Sequence, residues 1–241
     1  MTPLRIGVVA EGKTDRVVLE ELLAGQLKAL RPSLETEFIN IQPDPDATSG
    51  SIDGGWTHVK QWCHANPPDR RQIIYLGRAL FASDLDTKRC DILLVILDAD
   101  ASEHIAKNSG VQPPPPAPSA VDRRLFIRHI LDSWLWPGGL GVRERHILAA
   151  AVEAIEAWLV AALSRAPDPE TITDLNPHMV EIHRSLIRHT QPSMKRVPKT
   201  IERYRLISQH ARSTVHHVHD KCECFQLLIS EILVISDAIK I

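Results

Sequence analysis

The stretch Asp91-Ile92-Leu93-Leu94-Val95-Ile96-Leu97-Asp98-Ala99-Asp100 decides how the chain is read. Its apolar run is too short for an ordinary helix and leaves neither alternating face polar, which is the pattern of a strand buried on both faces in a parallel sheet. The strand delivers Asp98 and Asp100 at its carboxyl end. Upstream, Ile6-Gly7-Val8-Val9-Ala10 is a second compact β-branched run, and it too ends at a carboxylate, Glu11. From Asp15 the residues Val17, Val18, Leu22, Leu23, Leu27 and Leu30 recur at helical spacing until Arg31-Pro32 stops them, with Thr14 or Asp15 as the expected cap. Thr36–Gln42 reads as another strand. Pro43, Asp44, Pro45, Asp46, Ser49, Gly50, Gly54 and Gly55 then form a loop, expected to be mobile, before a helix opening at Trp56. The insertion from Thr57 to Asp91 is expected to order only with substrate or partner.

Downstream, the proline run between Gln112 and Pro118 cannot sustain a helix or a central strand, so it is a stiff surface connection. It leads to Ser119, the expected N-cap of a helix over 121–136. Arg145 to Glu153 reads as a fourth strand. The helix expected from Glu153 to Ser164 carries Glu153 and Glu156 one turn apart on one face. Beyond Pro169 three helices rich in His and Arg are expected, over 177–189, 199–211 and 222–241. The alternation of strand and helix predicts an α/β fold: a mostly parallel sheet flanked by helices over 1–165, with an α-helical carboxyl-terminal region, 166–241, packed on it.

With 241 residues, 44% of them hydrophobic, the chain can bury a sizeable core, which sets aside disorder and fibrous repeats. Its 28 basic and 30 acidic residues leave a net charge of −2, so a polyanion has to be met by a local patch or by metal ions. Aromatic residues are scarce at 5%, which disfavours broad stacking platforms for single strands. Trp56, Trp62, Trp134, Trp136 and Trp158 are read as core or interface residues. Four cysteines without paired spacing, no signal-peptide pattern at the amino terminus and no apolar run long enough to cross a bilayer predict a cytoplasmic protein with reduced thiols. Phosphate-binding glycine motifs and the Gly-x-Ser-x-Gly nucleophile turn are absent from the sequence.

In open α/β sheets the ligand crevice lies beyond the carboxyl ends of the strands. Glu11, Asp98, Asp100, Glu153 and Glu156 are all delivered to that edge. Like charges so placed raise one another's pKa and need a counter-charge, for which Mg2+ or Mn2+, with their preference for oxygen ligands, is the natural choice. Lys13 and Arg16 beside the first turn are either a phosphate clamp or solvated charges. Lys195, Arg196, Lys199, Arg203, Arg205 and Arg212 form either a nucleic-acid track, a partner surface or a solvated helix face. The His- and Cys-bearing stretch from Thr214 to Cys224 has ligand residue types but a spacing too irregular for a standard zinc site.

Two of these motifs carry a family likeness. Val8-Val9-Ala10-Glu11-Gly12-Lys13-Thr14-Asp15 resembles the hydrophobic strand followed by Glu-Gly-x-x-(Asp/Glu) of the Toprim superfamily, and Ile96-Leu97-Asp98-Ala99-Asp100 resembles its Asp-x-Asp. Val152-Glu153-Ala154-Ile155-Glu156-Ala157-Trp158-Leu159, the run from Pro198-Lys199-Thr200 to Tyr204, and Cys224-Phe225 are similar to the Toprim-like, RloB-like group of bacterial defence-locus proteins, which is related to the overcoming-lysogenisation-defect nucleases. The likeness implies a Mg2+-dependent nuclease of anti-phage defence acting on DNA or RNA, tRNA included, with an ATPase partner. It implies Glu11 as general acid/base or metal ligand, Asp98 and Asp100 as metal ligands, and Glu153 or Glu156 completing the shell. Lys13, Arg16, Lys199 and Arg203 are then substrate contacts. A single Asp-x-Asp at the end of a strand, Asp98-Ala99-Asp100, and the lack of a defensible tyrosine nucleophile argue against a topoisomerase. A catalytically silent Toprim-like binding module, primase-like nucleotide addition and a homodimer stay open.

Overall fold

A computed structural model of the chain describes residues 2–42, 55–77, 87–114, 118–187 and 193–239. The loop expected from Pro43 through Gly54 lies outside the described residues, as do 78–86, the centre of the proline run at 115–117, and His189.

Four strands, β1 (Leu4–Val9), β2 (Thr36–Gln42), β3 (Ile92–Asp98) and β4 (His146–Ala151), form one sheet in the order β2-β1-β3-β4, and every pairing is parallel. The decisive run is thus the central strand β3, held against β1 from Ile6 opposite Ile92 to Val9 opposite Val95. Alternation sends its residues to two cores. Ile92, Leu94 and Ile96 join Leu4, Ile6 and Val8 on one face, while Leu93, Val95 and Leu97 join Val9 on the other. Gly7 is required by close approach: a Cβ there would sit 2.5 Å from Ile41 Cδ1 and 2.7 Å from Cys90 Sγ.

The first face is covered by α1 (Lys13–Leu30), α6 (Glu156–Leu163), α7 (Asn176–Leu186), α8 (Ile201–Ala211), α9 (Val215–Lys221) and α10 (Glu223–Ile239). The carboxyl-terminal helices therefore share a core with residues 1–165. Trp158, fully buried, meets Phe225 of α10 edge-on at 5.1 Å between ring centroids, and truncating such a ring to alanine costs about 3–5 kcal/mol. The second face is covered by α2 (Gly55–Ala65), α3 (Pro68–Arg71), a π-helical turn (Gln72–Leu76), α4 (Ser102–Ser109) and α5 (Ala120–Leu135). Helices from opposite faces meet beside edge strand β4, where Arg124 pairs with Glu223 at 2.9 Å and Arg128 with Glu231 at 2.6 Å.

Several local expectations are corrected. Much of the insertion after Thr57 is packed without any partner, since Val59, Trp62, Cys63, Tyr75 and Leu76 are buried against the sheet. Helix α1 is capped at Gly12, not by Thr14 or Asp15, which lie buried in its first turn. The expected helix from Glu153 begins only at Glu156. Glu153 sits in the preceding turn with φ +63°, a left-handed conformation rare for a side chain other than glycine, so the two glutamates do not share a helical face. Ser119 caps α5 as expected, in a capping box with Asp122. Between the last two expected helices the chain forms a further one, α9. All four cysteines are free and buried. Among the described residues no helix is long and apolar enough to cross a membrane.

Candidate functional site

Parallel strands put their carboxyl ends on one side, and this brings the separate acidic motifs together. Glu11, in the turn after β1, reaches across to the end of β3, where its Oε1 accepts the backbone N–H of Asp98 at 2.8 Å. Asp98 Oδ1 in turn accepts the N–H of Ile155, 3.1 Å away, at the start of α6. The Asp100 N–H donates to the carbonyl of Glu153 at 2.8 Å. Three consecutive strand-to-helix turns are thereby tied to one another. A fifth carboxylate, Asp15, points inward from the first turn of α1 with its Oδ1 3.2 Å from Thr14 Oγ1.

The electrostatics follow from this crowding. Burial, aided by Asp15 and Asp100 and opposed by the Asp98 N–H and Lys199, pushes the Glu11 carboxyl up to about 8. Burial raises Asp98 well above the usual carboxylate range, reinforced by Asp15, Glu11, Glu156 and Asp100. Asp15 and Asp100 are also raised, chiefly by burial. Glu156 is the exception. Burial acts to raise it, but Lys199 Nζ at 2.8 Å and the Tyr204 hydroxyl donating at 2.7 Å outweigh that and hold it below its ordinary value. Its second oxygen, Oε2, is buried with no hydrogen-bond partner.

A cavity of about 130 Å3 opens over this edge, bounded by Asp100, Glu153, Glu156, Arg196, Lys199 and Tyr204. Thr173 and Asn176 complete its polar wall. A second cavity of about 710 Å3 adjoins it and shares Asp100, Glu153 and Thr173.

The structure thus gathers Glu11, Asp98, Asp100 and Glu156, and sets Glu153 apart from them chemically. Glu153 is buried and ion-paired with Arg123 of α5, and its carboxyl is raised by burial against that pairing. Lys199 belongs to the site as a counter-charge. Arg203 does not line the cavity, and its backbone N–H is capped by Thr200 Oγ1 at 3.4 Å. Arg16 pairs with Glu20 one turn on, at 2.8 Å, and Lys13 also lies outside the cavity lining. Arg123, Thr173 and Asn176 carry no local motif, and only the fold shows them. Asp15 was legible as the last residue of the Glu-Gly-x-x-Asp run, although its role as a cap was the wrong reading.

The donor set suits a hard divalent cation in type and charge: oxygens only, several carboxylates raised by burial and by one another, and one buried carboxylate oxygen lacking a partner. Among the described residues, however, no three His, Cys, Asp or Glu side chains are drawn close enough together to form a ready metal shell. The Thr214–Cys224 stretch does not form one either. Comparison of the chain with protein-family models, curated proteins and solved structures finds no match.

Proposed function

We propose that the chain is a divalent-metal-dependent phosphodiesterase of Toprim-like type, a nuclease acting on DNA or RNA. The observation that supports this most is the meeting of Glu11, Asp15, Asp98, Asp100 and Glu156 at the carboxyl edge of a parallel sheet, with Lys199 ion-paired inside the cluster. A purely structural role is a poor explanation, because crowding buried like charges costs stability that a fold without a use for them would shed. Asp98, Asp100 and Glu156 are the residues that would hold Mg2+ or Mn2+, and Asp100, exposed, has room to change rotamer. The ion would neutralise charge on the phosphoryl oxygens and lower the pKa of a bound water. Glu11, pushed up to about 8, is protonated for much of the time near neutral pH and suits a general acid that gives its proton to the leaving oxygen. Arg196 and Lys199, which line the same cavity, would meet the substrate phosphate.

The test is cleavage of plasmid DNA, single-stranded DNA and total tRNA with Mg2+ or Mn2+, with Glu11→Gln and Asp98→Asn as controls. The expected result is cleavage by the native chain and loss of at least about a hundredfold in each variant. A second reading, a silent Toprim-like binding module, is favoured by the Lys199–Glu156 pair, which already supplies a positive charge to the cluster. It predicts no heat of Mn2+ binding in calorimetry and no cleavage, with or without an ATPase partner.

A further inference from the structure

The larger cavity is not needed to hold a metal ion or a phosphate, yet it reaches the acidic edge at Asp100. Its volume, about 710 Å3, falls within the roughly 300–1,000 Å3 of pockets that enclose a small organic ligand. Its apolar lining comes from Ala99, Ala106, Val111, Pro113, Pro114 and Pro118. Its polar lining carries two cations, Lys107 on α4 and Arg123 on α5, together with the carboxylates Asp100, Glu103 and Glu153. Arg123 is built into the site. Its guanidinium pairs with the buried Glu153 on the wall common to both cavities, its side chain is 16% exposed, and its Nε is buried without a hydrogen-bond partner. A largely apolar slot in which Lys107 is, among the described residues, the cation not ion-paired within the lining, and which shares Asp100 with the smaller cavity, suits a base and sugar whose phosphate lies at the Asp100 end.

We propose that this cavity receives a single unstacked nucleotide of a nucleic-acid strand, placing the adjoining phosphodiester at Asp100, where the two cavities meet. The chemistry at that phosphodiester rests on the nuclease reading above; the binding does not. A base stacked inside a duplex enters such a pocket only after extrusion, whereas a base in a single strand or loop enters freely. The substrate class is therefore unpaired strand, and continuous duplex is discriminated against.

The experiment is fluorescence anisotropy with a fluorescein-labelled single-stranded oligonucleotide, a blunt duplex of the same sequence, and free mononucleotide as competitor, all with Ca2+ in place of Mg2+. Two variants are compared with the native chain. Val111→Trp fills the pocket from a half-buried position, and Lys107→Glu reverses an exposed charge with the core untouched. Circular dichroism melts check that both are folded. The expected result is single-strand binding about tenfold or more tighter than duplex binding, weakened by a similar factor in each variant, about 1.4 kcal/mol. Competition by mononucleotide shows that the nucleotide unit itself is recognised. Equal affinity for single strand and duplex, no strand binding, or native affinity in both variants overturns the proposal. Hydrolysis of bis(p-nitrophenyl) phosphate by the native chain with Mn2+ is measured in parallel. Its absence alongside pocket-dependent strand binding would sink the nuclease reading and leave the pocket assignment standing.

Discussion

Arg71 and Asp98 are both ionisable groups drawn in from solvent, one beside the amino end of β4 and the other at the carboxyl end of β3, and their surroundings differ in completeness. Arg71 is 0% exposed and, among the described residues, has no carboxylate paired with it. Its guanidinium donates to the carbonyls of Asn66 at 2.6 Å and Leu135 at 2.8 Å, which lie at the carboxyl ends of α2 and α5, where a helix concentrates partial negative charge. It also donates to His146 Nε2 at 3.2 Å and lies over the Trp136 ring, 5.2 Å from its centroid. This is a satisfied network, and its product is stability. Asp98 accepts a backbone N–H and faces four further carboxylates. The contrast teaches that the fold is able to balance a buried charge when only structure is at stake; the imbalance at the other edge is what the proposed metal ion would offset.

The comparison breaks most visibly at Arg71. Arg71→Met removes three donors at once and leaves two buried helix-end carbonyls unpaired, so a loss of about 3 kcal/mol or more is expected in urea unfolding. The next effect in size depends on pH. Burial, with Arg71 and Arg145 nearby, lowers His146 from 6.5 to about 4, because its Nε2 must stay unprotonated to accept from Arg71. The unfolded chain takes up that proton near 6.5 and the folded chain only near 4. Stability is therefore whole above the first value and falls as the pH drops toward the second, by up to on the order of 3 kcal/mol. A His146→Gln chain should lack most of that slope between pH 6.5 and 4.

At the carboxyl edge the sign reverses. Asp98→Asn keeps an oxygen for the Ile155 N–H and removes one of the crowded charges, so it should raise the free energy of urea unfolding at neutral pH by about 1 kcal/mol while abolishing cleavage. Destabilisation by Asp98→Asn would mean that the cluster is already balanced. The smallest effect belongs to the partly exposed clasp beside β4: Arg128→Ala should cost less than about 1 kcal/mol, and less again in high salt.

How far the site was legible depends on how local each signal is. Glu11, Asp98 and Asp100 were readable because each ends a strand, and a parallel sheet sends all such ends the same way. Lys199 was readable as a basic residue, but not as the counter-charge of Glu156, which lies far from it in sequence. Glu153 misled because helical spacing from Glu156 assumed a helix that begins three residues later; its φ of +63° turns the side chain toward Arg123 instead. The partition of the chain into a sheet region and a helical region is likewise visible in composition. The packing of α8 and α10 into the same core as β1 and β3 is not.

What the amino-acid sequence determined by itself was therefore the set of elements and the edge at which their acidic ends meet, because hydrophobic period and strand direction are local properties repeated along the chain. Tertiary structure alone decided which carboxylates share one environment, which of them is neutralised by Lys199 and Tyr204 or by Arg123, and that a nucleotide-sized cavity lies beside them. Those outcomes depend on distances between residues far apart in sequence, and such distances are fixed only when both faces of the sheet are packed.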